Sequence, residues 1–403
     1  MSELINKSPS YYIRKRLFAN KPAMFGLTVI IISHIIVALG YAIMPDNTPN
    51  VNNGSEIISK KTPGFKTKIL KIRLNREVEE RNFFERVYQG QENSYSETPI
   101  SSYRIAGDSV YFTIGKEPQE QAHFLLHAVK ALSFEKGSIK KKNDEYTFVD
   151  VMGEVNTITL EKLISEFEQN NIEERTYYLG TDLSGRDMLS MLLFGLRISL
   201  SIGFISVMIS LLLGVSLGAF AGFFGGTIDA LVSWLMTVVW SVPSIMLVIA
   251  ISMALGKGVW VAFVAVGLTM WVEIARVVRG EIMALKQKLY IEAAQAFGMN
   301  NFYIIYRHIL PNLIGSLIVI TTSIFASAIL VEAGLSFLGL GVQPPTPSWG
   351  MMISAGSENM FRPNSWHLVF LPSFCISLLV LSFNLLGNGL RDAYDPKGLI
   401  RKK

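Results

Sequence analysis

The sequence predicts an all-α polytopic membrane protein of six spanning helices, with a small α+β domain inserted after the first. Three observations carry this. Of 403 residues, 50% are hydrophobic and 17% charged, with mean hydropathy +0.35, against about 25% charged in soluble proteins. Six apolar runs, roughly 22–44, 198–222, 228–255, 259–275, 312–335 and 368–390, are long enough to cross a bilayer, which takes about 20 residues each. Between the first two lies a polar stretch, 45–176, of net charge −3, while the rest of the chain carries +8.

The elements follow in order. Residues 1–21 read as a cytoplasmic segment with a short interfacial helix at 11–20. There Tyr11, Tyr12, Ile13, Leu17 and Phe18 accompany Arg14, Lys15 and Arg16, ahead of Pro22. The run 22–44 exceeds the roughly 7–15 residues of a signal-peptide core and ends without a small-residue cleavage site, so it reads as a retained span. Lys7, Arg14, Lys15, Arg16 and Lys21 precede it. Arg276, Arg279, Lys286, Lys288 and Arg307 follow the fourth run. Arg391, Lys397, Arg401, Lys402 and Lys403 close the chain. An even number of spans puts all three clusters on one side, which the lysine and arginine bias makes cytoplasmic. The basic balance therefore reflects membrane topology and gives no nucleic-acid footprint. The lone Cys375 lies inside an apolar run, so neither a disulfide within the chain nor a cysteine metal site is available.

The 45–176 insert opens on a Pro/Asn/Gly-rich linker, PDNTPNVNNGSE. Strand-like stretches follow at 68–74 and 109–114, the latter after an Ala106-Gly107-Asp108 turn. Phe124, Leu125, Ala128 and Ala131 at helical spacing predict a helix over 119–131. Thr159 is placed to cap a helix at 160–170, with Glu161 in its first turn. Some 130 residues suffice for one modest core. His123 and His127, four apart, have a metal-ligand spacing, but no third ligand accompanies them, and they read as a packed or solvated pair. No catalytic constellation stands out.

The spans hold no nucleotide site, since no G-x-x-x-x-G-K-[ST] loop occurs anywhere. His34, Glu273 and Glu332, with Asp229 near a loop, are the ionisable groups to weigh. Glu273 and Asp229 fall at span ends, and Glu332 is the strongest candidate for a pathway or structural role. Pro243 interrupts the third run and Pro372 the sixth. Gly214, Gly218 and Gly222 step by four along the second run, with Gly203 upstream, a spacing that lets another helix approach closely.

Residues 292–311, EAAQAFGMNNFYIIYRHILP, form a helix–Gly–helix pattern between two apolar runs. Such a loop suits a soluble partner that must grip it. Glu292-Ala293-Ala294, then Gly298, then Leu310-Pro311 resemble the EAA loop of bacterial ABC importer permeases. Gly180-Thr181-Asp182 and Gly185-Arg186-Asp187 resemble the signature before the second span of oligopeptide and dipeptide permeases. Residues 335–341 and 344–350 resemble that subfamily's external loop. Residues 384–392 with Asp395-Pro396 resemble its closing motif.

The resemblance implies the type I importer permease fold, with a permease core at 177–398 and a basic tail at 399–403. It implies a C-type subunit of a peptide or nickel importer in a bacterial inner membrane. Its partners would be a second permease, two cytoplasmic ABC ATPases that use ATP and Mg, and an extracytoplasmic solute-binding protein. The chain itself would bind no cofactor. Residues 292–297 would form a coupling helix, Gly298 its turn and 301–308 a second helix, with Pro311 marking re-entry into the membrane. In place of the pattern's Ile stands His308, and Ile309 precedes Leu310; either side chain would fill a groove on the ATPase. The enlarged insert departs from the family and would meet the binding protein, the cell wall or an added component. Two rivals are a mechanotransmission-type ABC permease, which has four spans and no EAA loop, and a secondary transporter, which needs an intramembrane ion site. A sensor anchored by one or two spans leaves most of the chain unexplained.

Overall fold

A computed structural model of the chain describes residues 9–115, 119–133 and 139–394. Lys7, Asp395, Pro396, Lys397, Arg401, Lys402 and Lys403, named above, lie outside the described residues. The chain forms two compact units. One comprises the described parts of Met1–Ala38, Gly195–Ser354 and Leu371–Lys403, the other Leu39–Phe194 and Ala355–Phe370.

The chain begins with α1 (Pro9–Ala19), where the short N-terminal helix was expected. Asn20 ends it and caps α2 (Lys21–Leu39), accepting from the Ala23 amide at 3.1 Å. A 3-10 turn, Gly40–Ile43, completes an apolar stretch of 23 residues.

Among the described residues, the second unit has three three-stranded antiparallel sheets. The first runs β2-β1-β9, from β1 (Phe65–Arg73), β2 (Tyr95–Ile100) and β9 (Ile172–Tyr177). The second runs β3-β4-β5, from β3 (Ser102–Ala106), β4 (Ser109–Thr113) and β5 (Glu120–Phe124). The third runs β6-β7-β8, from β6 (Lys140–Lys142), β7 (Glu145–Val149) and β8 (Val155–Thr159). Helices α3 (Phe83–Gln89), α4 (Leu125–Val129) and α5 (Leu160–Asn170) complete it. One core joins all three sheets through Leu70, Phe112, Leu126, Tyr146, Leu163 and Phe167. Thr159 caps α5 as expected, accepting from the Lys162 amide. Gly107, at φ +61°, makes the β3–β4 turn.

The helix expected over 119–131 is wrong in its first half. Residues 120–124 pair with β4, and only 125–129 are helical. The apolar residues that suggested a helix begin at Phe124. Upstream, Gln121 and Glu120 carried no helical periodicity to resist the pairing. The Pro/Asn-rich linker is also folded: Asp46 accepts from the Thr48 amide at 2.9 Å, the Thr48 hydroxyl at 2.6 Å and the Asn53 amide at 3.2 Å.

The remaining helices are α6 (Met188–Phe224), α7 (Gly226–Trp240), α8 (Ser244–Leu255), α9 (Val259–Lys286), α10 (Leu289–Ala296), α11 (Asn301–Ile304), α12 (Leu310–Phe337), α13 (Trp349–Ser357) and α14 (His367–Tyr394). Among the described residues, five helical stretches are long and apolar enough to span. The pair α7–α8, bent by 90° at Ser241–Pro243, makes a sixth. All six expected runs are therefore helical, and the break falls at Pro243. Arg276, Arg279 and Lys286, expected in a loop, instead extend α9 by three turns, because nothing after Ala275 breaks the helix.

The stepped glycines meet α9. A Cβ on Gly214, Gly218 or Gly222 would lie 2.8, 2.6 or 2.8 Å from the carbonyl oxygens of Trp271, Ala275 and Arg279. The seam continues with hydrogen bonds from Ser206 to the Phe263 carbonyl at 3.1 Å and from Ser210 to that of Gly267 at 2.9 Å. Both sides advance together, so α6 and α9 run parallel. The α7–α8 pair between them must return the chain, crossing once. Helices α2 and α14 are antiparallel, with Gly26 against the Ser382 carbonyl and Gly389 against Ala23. Helices α12 and α14 are antiparallel too, with Gly315 against Tyr394 and Gly387 against Thr322. The start of α2, the start of α12 and the end of α14 therefore share one side.

An ion-pair network stiffens β9. Arg175 binds Glu97 at 2.6 Å and Glu173 at 3.0 Å, Lys71 pairs with Glu173, and the Asn53 and Asn93 amides donate to Glu97 at 2.8 and 3.0 Å. Burial pushes Glu97 and Glu173 up, but these partners hold both below the usual 4.5. A carboxyl lowered on folding adds stability above its unfolded pKa and loses it as pH falls through the folded value. The protection factors of β1 amides in the full chain, corrected for the intrinsic exchange rate at each pH, are therefore expected to fall as pH drops below about 4.5. Arg175→Met should cost about 3 kcal/mol at pH 7 and remove that share of the acid sensitivity. An unchanged pH profile would exclude the network as its source.

Candidate functional site

The segment between α9 and α12 is built by its caps. At the end of α10, the Gly298 amide donates to the Gln295 carbonyl at 2.9 Å and the Met299 amide to that of Ala294 at 3.2 Å. This paired closure needs a residue in the left-handed region, and Gly298 sits at φ +72°. A Cβ there would meet nothing within 4 Å, so backbone conformation alone selects glycine. Asn300 then caps α11, accepting from the Phe302 amide at 2.8 Å.

The second helix does not end before the membrane, as was expected. It passes through a π turn, Ile305–Ile309, into α12 without a break. Pro311 explains the π turn. It has no amide to give the Arg307 carbonyl and would crowd it, so the preceding turn widens and Leu310 donates to Ile305. The Asn312 side chain satisfies the His308 carbonyl at 2.6 Å.

Of the residues expected in the coupling loop, Glu292, Ala293, Gly298 and Pro311 are exposed and Leu310 is half-buried. Ala294 and Ile309 are buried, at 6% and 0%. Ile309 thus points into the chain's own packing and is not free to fill a partner's groove. His308 is half-buried against Tyr303, with ring centroids 5.8 Å apart. The outward face belongs to residues the sequence reading passed over: Leu289, Tyr290, Phe297, Phe302, Tyr303 and Tyr306, between 47% and 84% exposed. Ten large apolar side chains in the 18 residues 289–306, outside the apolar runs, were the available signal. Phe302 also ties the loop to the end of α6, with its ring 6.2 Å from those of Phe220 and Phe224.

The 180–187 signature is a closed clasp. Asp182 accepts from the amides of Ser184 and Arg186 at 2.9 and 2.8 Å and pairs with the Arg186 side chain at 2.7 Å. Thr181 accepts from the Lys61 amide at 2.9 Å and donates to the Ile58 carbonyl. Its own carbonyl faces Nε2 of the buried His367 at 3.1 Å. Gly185, at φ +73°, lies against the Ser55 carbonyl, and Gly180, at φ +81°, against that of Lys61. Asp187 holds Ser190 by its amide, at 2.8 Å, and by its hydroxyl. That hydroxyl also accepts from the Asp46 amide at 2.9 Å. Burial pushes both Asp46 and Asp187 up.

Glu332 is fully buried in α12. Its Oε1 accepts from the Ser336 hydroxyl at 2.7 Å, and that hydroxyl accepts from the Val342 amide at 3.2 Å. The carboxyl therefore pins the turn after α12. Pro243, at the α7–α8 break, lines a cleft of about 440 Å³ with Trp240, Thr269 and Glu273. Arg276 stacks on Trp240, 3.4 Å from its centroid, and Arg279 pairs with Asp229 at 2.5 Å. His123 and His127 stand in T-shaped contact at 6.4 Å, on β5 and α4 and not on one helix. No group of three metal-ligating side chains occurs among the described residues.

Comparison with known proteins converges on one family. The family described as binding-protein-dependent transport system inner membrane component matches residues 214–398. The oligopeptide transport system permease protein OppC of Salmonella typhimurium is 47% identical over 221 residues, 55% of this chain and 72% of that protein. The chain belongs to this permease family. The glutathione transport system permease protein GsiD of Pectobacterium atrosepticum is 43% identical over 222 residues, 55% of this chain and 73% of its own. The dipeptide transport system permease protein DppC of Bacillus subtilis is 40% identical over 230 residues, 57% and 72% respectively. A solved chain of the MetNI methionine ABC transporter, in inward-facing form, covers 52% of this chain and 98% of its own at 20% identity and TM-score 0.42, too low to assign this chain a conformational state. By that family and those relatives, this permease is the inner membrane component of a binding-protein-dependent transport system.

Gly298→Ala should strain the α10 closure by about 1 kcal/mol, whereas Gly298→Asn, which tolerates the left-handed region, should cost less. Hydrogen exchange at the Gly298 and Met299 amides checks this. Equal protection in all three proteins would mean that the closure does not depend on φ.

Proposed function

We propose that this permease forms half of an inward pathway for peptides, driven by two cytoplasmic ABC ATPases through the segment 289–309. ATP and Mg act on those subunits. A second permease completes the pathway, and an extracytoplasmic solute-binding protein delivers the cargo. The observation that carries the proposal is the capped α10–Gly298–α11 element, whose outward face is apolar and whose inward face is packed. Its glycine closure fixes shape, and its continuity with α12 makes it a lever on a spanning helix.

In this reading the side shared by the start of α2, the start of α12 and the end of α14 is the cytoplasm, because the basic clusters flank it. The insert within 45–176 is then extracytoplasmic. Two permease packings close in energy, biased by contacts on the loop, alternate access. The cleft at Pro243 lies along the pathway, since broken helices expose backbone groups where a solute must pass. Glu332 and the 180–187 clasp are structural. Peptide cargo is supported by the names of the relatives above, with nickel or another small solute behind it. The mechanotransmission and secondary-transporter readings gain nothing from those relatives.

The test uses the assembled importer in proteoliposomes. Gly298→Val, and separately Tyr306→Glu on the exposed face, should each cut ATP-driven uptake of a labelled tripeptide at least tenfold, about 1.4 kcal/mol of coupling. The chain should still insert. The ATPase should either fail to copurify or hydrolyse ATP without transport. Normal coupled uptake in both variants contradicts a coupling role for this segment.

A further inference from the structure

Helix α3 of the insert has an unusual balance. It is seven residues long and buries none of its own side chains. Yet both ends are secured. Asn82 and Glu85 form a reciprocal capping box, and Gly90, at φ +76°, closes the other end by donating to the Arg86 carbonyl at 3.0 Å. The Arg81 side chain donates to the Gln89 and Gly90 carbonyls at 3.1 and 2.8 Å. A helix this short has no stability of its own, so these bonds hold a surface in place. That surface carries Phe83 at 69% and Phe84 at 82% exposure, their rings in T-shaped contact at 5.7 Å.

The position of α3 says what covers the surface. The Val87 carbonyl lies so close to Gly40 that any Cβ on Gly40 would overlap it. The Gln91 amide donates to the Asn47 carbonyl at 2.9 Å. Gly40 sits three residues before the end of the first apolar run, and Asn47 four residues beyond it. The helix is therefore bolted to the chain at two points within four residues of the end of the first apolar run. Phenylalanine on one face of a helix lying at the membrane surface buries at the boundary between headgroups and acyl chains. Two adjacent phenylalanines in open water at a fixed height would only cost free energy.

We propose that α3 is an interfacial anchor, with Phe83 and Phe84 seated in the outer leaflet of the bilayer at the end of the first apolar run. The insert then rests on the membrane at a second point besides its covalent connections. This holds whatever the cargo is. It rests on the topology proposed above, in which the first apolar run spans and the insert lies outside.

Full-length chain carrying Phe84→Cys and Cys375→Ala, spin-labelled and placed in phosphatidylcholine nanodiscs, tests this by collision with oxygen and with a water-soluble nickel chelate. The reference is Val155→Cys on β8, a site 72% exposed in the same unit. Both substitutions replace exposed side chains, so the fold is retained. The anchor predicts an oxygen-to-nickel collision ratio at least about threefold higher at 84 than at 155, as for a side chain below the headgroups. Equal ratios would place the helix in water and overturn the proposal. Protection from both reagents, whether in the chain alone or in the assembled importer, would mean a protein surface covers α3 and would overturn it as well.

Discussion

The parallel seam between α6 and α9 is the constraint on which the rest of the helical unit depends. Five contacts in register, from Ser206 on Phe263 to Gly222 on Arg279, bring small residues of α6 directly against the backbone of α9. Hydrocarbon gives helices no hydrophobic reason to associate, so close backbone packing and interhelical hydrogen bonds supply the attraction. Lys286 closes the far end of the seam by donating to the Phe223 carbonyl at 2.7 Å. Because the two helices run the same way, the bent α7–α8 pair has to bring the chain back. The sharp bend at Pro243 thus coexists with a single net crossing.

From that seam follows the placement of the segment between α9 and α12. It emerges at the end of α9 that carries Arg276, Arg279 and Lys286. It returns through a π turn forced by Pro311 and runs on as α12 without a break. The Phe302 ring against Phe220 and Phe224 couples the same segment to α6. One short polar-looking loop is therefore mechanically joined to both helices that flank the α7–α8 break.

Much of this was legible in the sequence, and the gaps have physical causes. Apolar length found all six runs, and the four-residue glycine step announced a close helix contact, though only the structure shows that its partner is α9. Thr159 as a cap and Gly107 as a turn were readable because each acts within a few residues. The strand at 120–124 was not readable, since its identity is set by pairing with β4 and not by its own periodicity. Ile309 was assigned to a partner because the motif marks a position in the sequence and not a direction in space. In a helix widened by a π turn, the angular spacing of side chains shifts, and Ile309 turned inward while Tyr306 turned out. The clasp at 180–187 was visible as a motif but its role was not, because its bonds reach Ile58, Lys61 and His367, more than a hundred residues away.

The central claim is that a cytoplasmic motor pulls on the exposed face of the 289–309 segment. The most direct measurement is cross-linking from Ala293→Cys, in a chain where Cys375 is alanine, within the intact importer in membranes. The account predicts a disulfide or short bifunctional link to the ATPase subunit that changes in yield when ATP is added, and no labelling of that cysteine by an impermeant thiol reagent from outside the cell. Labelling from outside, or a cysteine that never links to the ATPase, would contradict it.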